Sequence, residues 1–264
     1  MERLLVLRLE SGGLAAEAWL NGVPLARSLP GAPAVTLPIH EYTLAGRNEL
    51  ELVIAPGPPG QEVPRQPQIA DGAAWASLRL LLPRTGQRAH PEFARTLAQL
   101  DWAVPAGDVV ELPATVRQAV ELPIGFPRWR WLDAPVVAQP AELLPAAVAF
   151  VQGIAVGLAK GDPEPFVAAA HLRFEELAAA YQRPLADEVA RFRAQVQRLH
   201  AAGLPPPLLP GAATLRLRAV AGGRLLECLG SDGGPALARS AADGTRWSWP
   251  LRLAAIDGRL YVLR

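Results

Sequence analysis

A single cysteine, Cys228, in 264 residues excludes an intramolecular disulfide framework, so stability has to come from burial, and a reducing compartment is the natural setting. Cys228 lies in the run Leu225-Leu226-Glu227-Cys228-Leu229 with no His or Asn beside it, which predicts a small buried apolar residue rather than a nucleophile. Lysine is as scarce: of the 26 basic residues only Lys160 is not arginine, a bias we read, with the many Ala, Leu and Pro, as that of a GC-rich bacterial genome. A surplus of charge is missing too. The formal net charge of +1 offers neither nucleic acid nor an anionic membrane the concentrated Lys and Arg they require. The opening Met1-Glu2-Arg3-Leu4-Leu5-Val6-Leu7-Arg8 is too short and too interrupted for a signal peptide, so a cytoplasmic location is expected.

Long apolar runs are rare. Leu143 to Ala159 is uncharged and carries Gly153 and Gly157 at the small-xxx-small spacing of packed membrane helices. It sits at the lower limit of a span, holds Pro145 and Gln152 and lacks flanking anchors, so a buried core helix is expected and no membrane span. The common catalytic and metal signatures are also missing: H-E-x-x-H, paired C-x-x-C, a phosphate loop, the dinucleotide fingerprint and G-x-S-x-G. No metal and no cofactor are expected, and the reading leans away from an enzyme without closing the question.

What is present points to ordered, globular structure. Half the residues are hydrophobic and 19 % charged, and the length predicts two domains. Over 1–137, short apolar runs separated by Gly, Pro, Asn and Asp predict an all-β sandwich, with strands at Leu4–Leu9, Ala15–Leu20, Val35–Leu37, Leu50–Ile54, Trp75–Leu82, Thr96–Trp102, Asp108–Leu112 and Thr115–Leu122; Trp129–Leu132 is a candidate to close the set. Asn21-Gly22 predicts a two-residue hairpin, since both residues tolerate positive φ. Over 141–264 the pattern changes to an α+β domain. Helices are expected at Ala141–Lys160, Pro163–Tyr181 and Pro184–Ala202, with Asp162 as N-cap and Pro163 at the first helical position. The proline-rich Gly203–Gly211 reads as a stiff connector. Strands follow at Thr214–Val220, Arg224–Leu229, Ala236–Ser240, Arg246–Ala254 and Arg259–Leu263, with turns at Ala221-Gly222-Gly223 and Asp257-Gly258.

Two resemblances accompany these patterns. The segment Ala18-Trp19-Leu20-Asn21-Gly22-Val23-Pro24-Leu25, followed by Leu44-Ala45-Gly46-Arg47-Asn48-Glu49-Leu50-Glu51-Leu52, resembles the galactose-binding-type jelly-roll accessory domains of family-2 glycosidases. The resemblance implies a jelly roll; with no catalytic barrel in the chain it does not imply glycosidase activity. Three helices followed by a meander ending in Trp247-Ser248-Trp249 and Asp257-Gly258-Arg259, with Gly161-Asp162 between early helices, resemble the nuclear-transport-factor-2-like superfamily. That implies a curved antiparallel sheet closed by helices into a cone, and almost nothing about function.

Candidate site residues are few. His171 and Glu175 lie four apart on one predicted helix and share a face, so they could form an oriented base in a cone-shaped pocket, or pair on an exposed surface. Arg128-Trp129-Arg130-Trp131 is the most distinctive string: in a strand its two Trp share a face, filling a core or an interface, whereas in a loop Arg and Trp could stack as a ligand platform. Trp19 and Trp75 are sugar-stacking candidates if the first resemblance extends to ligand, and core residues otherwise. His200 suits a helix C-terminus. Three functions stay open: a non-enzymatic accessory protein that binds another protein, a small-molecule binder or enzyme using His171 and Glu175, and carbohydrate binding through Trp19 or Trp75.

Overall fold

The structure is a computed structural model that describes residues 4–59, 61, 63–84, 86–122, 125–203, 205–240 and 246–264. The chain is mostly β, with several antiparallel sheets and, among the described residues, four α-helices in the second half. It divides into two compact units, Met1–Gly57 with Gln61–Arg128, and Pro58–Gly60 with Trp129–Arg264.

In the first unit the strands are β1 (Val6–Gly12), β2 (Ala16–Leu20), β3 (Val23–Ser28), β4 (Val35–Pro38), β5 (Gly46–Ile54), β6 (Gln66–Ile69), β7 (Ala74–Pro83), β8 (Ala94–Val104), β9 (Val109–Leu112) and β10 (Ala114–Leu122). They form antiparallel sheets of order β4-β1-β7-β8 and β10-β5-β2-β3, with β6 and β9 as a separate exposed ribbon. Alternate residues make the core: Leu7 and Leu9 of β1, Leu78 and Leu80 of β7, Ala16, Ala18 and Leu20 of β2, and Leu50, Leu52 and Ile54 of β5 are buried. Asn21 and Gly22 take φ of 53° and 75° and turn β2 into β3.

No strand is expected from the sequence over β6, and β3 is implied only by the Asn21-Gly22 hairpin; each carries a proline. β3 lies at a sheet edge and is bulged against Ala18/Trp19, where Pro24 costs the ladder no hydrogen bond.

The Asn-Gly and L-x-G-x-N strings form one polar clasp. Asn48 is buried; its Oδ1 accepts from Asn21 Nδ2 (2.9 Å) and the Leu44 amide (2.7 Å), and its Nδ2 donates to the Leu44 and Gly46 carbonyls (both 2.9 Å). Asn21 donates further to the Tyr42 carbonyl and accepts from the Glu49 amide. Those residues therefore fix the entry of β5 against the β2–β3 turn. Asn48→Ala strands several of these groups and is expected to cost about 2–3 kcal/mol, read as a shift in urea midpoint; a shift near zero would show that solvent reaches the clasp.

The second unit holds α1 (Leu144–Ala159), α2 (Glu164–Ala169), α3 (His171–Tyr181) and α4 (Leu185–Ala201), then β11 (Arg216–Val220), β12 (Leu225–Leu229), β13 (Leu237–Ser240), β14 (Arg246–Trp249), β15 (Arg252–Ile256) and β16 (Arg259–Val262). β11-β12-β15-β16 form one antiparallel sheet and β13-β14 a two-stranded ribbon. Ala147, Val151, Ile154 and Leu158 of α1, Phe166, Phe174, Phe192 and Val196 of the later helices, and Leu226, Cys228 and Leu253 of the sheet share one core. Phe166 and Phe192 stack at 4.4 Å between ring centroids.

Several expectations are corrected here. The second helix is two, broken at Ala170 (φ −112°, ψ 16°), where His171 Nδ1 lies 3.0 Å from the Ala168 carbonyl oxygen and competes for it with the backbone. Pro163, not Asp162, occupies the N-cap, though Asp162 Oδ1 still accepts from the Glu164 amide at 3.0 Å. The strand expected over Arg246–Ala254 splits at Pro250-Leu251 into β14 and β15. Trp129–Leu132 is no strand: Arg130–Leu132 forms a 3-10 turn, and Trp129 onward clusters with the helices. Pro140–Ala159 is long and apolar enough to cross a membrane by length and composition, yet its buried positions belong to the second unit's core. Gly157 is what lets α2 approach α1, since a Cβ there would fall 2.7 Å from Pro165 Cγ; Gly153 faces open space, so the two glycines do not act as a pair.

Candidate binding face

The period of two along β1, β7 and β8 sends one set of side chains into the core and the other to the outer face of β4-β1-β7-β8. Register aligns that outer set in rows: Arg8 with Arg79 and Gln99, Glu10 with Ser77 and Asp101, Gly12 with Trp75 and Ala103. Arg8 Nη2 donates to Glu10 Oε1 at 2.6 Å, Arg79 Nη1 to Glu10 Oε2 at 3.3 Å, and Gln99 Nε2 to Asp101. The Arg8 hydrogen bond holds the Glu10 carboxyl below the usual carboxylate range against the cost of partial burial, and the charges of Arg8, Arg79 and His90 add to it.

Two features set this face apart from an ordinary solvated sheet. Ser77, in the middle row, is only 6 % exposed, and its Oγ has no hydrogen-bond partner among the described residues. Trp75, at the end of the face, is 46 % exposed. A Cβ on Gly12 would fall 2.4 Å from Trp75 Nε1, so the indole lies against the Gly12 backbone with its other side open to solvent.

The other candidates take different places. Trp19 is half-buried on β2, in the other sheet, and its Nε1 donates to Glu17 Oε2 at 3.0 Å; it shares no strand pairing with Trp75. Trp129 and Trp131 are buried at 1 % and 2 % exposure, which removes them as a ligand platform, while Arg128 is exposed. The Arg264 guanidinium sits over the Trp129 ring, 5.5 Å from its centroid. Arg130 donates through Nη2 to Glu175 Oε2 at 2.7 Å, and through its backbone amide to the buried Glu176 at 2.6 Å.

His171 is exposed, with its ring edge-on to Tyr261 at 5.8 Å. The Glu175 carboxylate is taken by Arg130 rather than by His171, so the structure does not assemble the oriented base that their spacing suggested. Cys228 is buried at 1 % exposure; desolvation, then the neighbouring Glu227 charge, pushes its thiol up to about 12, which leaves no thiolate at neutral pH. Among the described residues no group of three His, Cys, Asp or Glu could hold a metal ion. Gly12, Ser77, Glu10 and Asp101 escaped sequence reasoning because only the register of strands far apart in sequence puts them beside Trp75.

No family model, no curated protein and no solved structure matches the chain.

Proposed function

We propose that the chain is a non-catalytic accessory protein that acts by binding another protein, and that the outer face of β4-β1-β7-β8 carries the contact, with Trp75 as its anchor. The solvent-facing indole, backed by the Gly12 backbone, is the observation that carries this reading. A large aromatic surface that loses little freedom on binding is the usual centre of a binding hot spot, and the flanking Arg79, Gln99 and Asp101 supply a polar rim. We further read the first unit as a jelly roll. Its eight main strands change sheet at every step except the β2–β3 and β7–β8 hairpins, which supports that topology. The second unit is read as a cone-like α+β fold, supported by its helices packed on β11-β12-β15-β16.

A second reading, carbohydrate binding on the same face, rests on the Trp75 indole, 46 % exposed and able to stack on a sugar ring.

The test is quantitative capture from a lysate of the source organism on full-length chain, wild type against Trp75→Ala, with circular dichroism to verify the fold of both. Wild type is expected to retain one stoichiometric protein, and Trp75→Ala to weaken that complex about 30-fold, the effect of losing about 2 kcal/mol at an anchor. A partner held equally by both forms would move the contact elsewhere. Retention of an oligosaccharide in place of a protein would select the second reading.

A further inference from the structure

The β7–β8 hairpin carries a separate feature at the end of the sheet opposite Trp75. Register places Leu82 across from Arg95 and Pro83 across from Ala94, and the connection between them is turned by the Gln87 amide donating to the Arg84 carbonyl and by the Phe93 and Ala94 amides donating to the His90 carbonyl. These turns border a half-open groove of about 530 Å³, lined by Arg84, Arg95, Gln87, Glu92 and Phe93 over Leu82. That volume is within the range of small-ligand sites, about 300–1,000 Å³.

The lining carries two guanidiniums and one carboxylate. Arg8, Arg79, Arg117, Arg130, Arg183, Arg193, Arg218 and Arg252 all hold carboxylates. Arg84 and Arg95 have neither a carboxylate nor a hydrogen-bond acceptor for their side chains among the described residues, although both line the groove. Glu92 is the one carboxylate of the lining; its Oε2 lies 3.6 Å from His90 Nδ1, which accepts the Glu92 backbone amide at 3.4 Å. Two guanidiniums against one carboxylate leave a single positive charge, and Phe93, 50 % exposed, offers an aromatic wall beside it.

We infer that this groove is a binding site for a small monoanionic carboxylate on a planar apolar body. The carboxylate takes the forked donors of Arg84 and Arg95, the geometry guanidinium matches best. The flat body lies against Phe93 over Leu82. Gln87 supplies an amide that can donate to the head group or accept from a substituent. The site is independent of Trp75, which lies at the other end of β7.

Benzoate is the probe, titrated into the full-length chain and followed by ligand-observed NMR, with benzamide as its neutral isostere and phenyl phosphate as the dianionic alternative. Benzoate is expected to saturate in the millimolar range and benzamide to bind at least about tenfold more weakly. Arg84→Ala and Arg95→Ala should each weaken benzoate about fivefold or more and the double variant should abolish saturation, with unchanged melting curves because both side chains are exposed. Trp75→Ala should leave benzoate binding unchanged even if it destroys the complex proposed above. Equal binding of benzamide, no saturation by benzoate, or indifference to both arginine substitutions would overturn the site. Tighter binding of phenyl phosphate would overturn the carboxylate assignment and make the ligand a phosphomonoester.

Discussion

Glu176→Ala is expected to destabilise the second unit by about 3–5 kcal/mol, lowering its melting temperature by roughly 10 °C. Glu176 is 5 % exposed on α3, and each carboxylate oxygen has a different task. Oε1 accepts the Arg130 backbone amide at 2.6 Å and so holds the 3-10 turn that carries Trp131. Oε2 accepts from Arg264 Nη1, and Arg264 is 1 % exposed with its guanidinium over Trp129. Truncation takes the carboxylate from a buried cation, which keeps the Leu263 carbonyl at 2.7 Å, and the side-chain acceptor from the Arg130 amide, and removing one partner of a buried ion pair is expensive. Glu176→Gln keeps an acceptor for the Arg130 amide and loses only the charge, so it should fall between wild type and Glu176→Ala. Urea unfolding followed by near-UV circular dichroism reads the effect through the buried Trp side chains of this unit, Trp129, Trp131 and Trp249. A loss under about 1 kcal/mol would mean that the guanidinium finds water when its carboxylate is gone.

The same residue shows where sequence reading stops. Spacing from His171 selects Glu175, four residues on and hence on the same helix face. The buried acid is its neighbour Glu176, about 100° further round the helix, and its partners lie 46 and 88 positions away in the chain. No local pattern reports that. Local signals were readable where the physics is local: Asn21-Gly22 and Asp257-Gly258 take positive φ and make hairpins, and Phe192 and Val196 of α4 face the core as their spacing requires. Arg128-Trp129-Arg130-Trp131 misled for a related reason. Its period-two alternation is that of a strand, but both Trp are buried by contacts of a single turn with distant residues. On the outer face of β4-β1-β7-β8, Trp75 stood out by residue type alone, whereas Gly12 and Ser77 come beside it only once β1 and β7 are in register.

Glu227→Ala should cost as much as Glu176→Ala, about 3–5 kcal/mol, but for a reason that makes it curable. On β12, Leu226 and Cys228 point into the helix-facing core, and Glu227 points to the opposite face. Its two neighbours in register are Arg218 on β11 and Arg252 on β15, donating at 2.8 Å and 3.0 Å to separate oxygens. Glu227 and Arg252 are 8 % and 6 % exposed, so one carboxylate neutralises two largely desolvated guanidiniums set one strand apart on either side. Alanine leaves those like charges facing each other from strands two spacings, about 10 Å, apart, with both side chains reaching inward and in a medium that screens them poorly. All three groups are side chains, however, and can be removed together. The triple variant Arg218→Met, Glu227→Leu, Arg252→Met is therefore expected to recover wild-type stability or exceed it by about 1–4 kcal/mol, because apolar packing replaces the desolvation of three charges. Glu176 offers no such escape, since the Arg130 amide it serves is backbone and survives any substitution; Glu176→Leu with Arg264→Met should stay about 1–3 kcal/mol below wild type. Urea midpoints of the single, double and triple variants decide it. If the triple variant is as unstable as Glu227→Ala, the row of charges is fixing strand register as well as neutralising itself, and the β11-β12-β15 alignment depends on it.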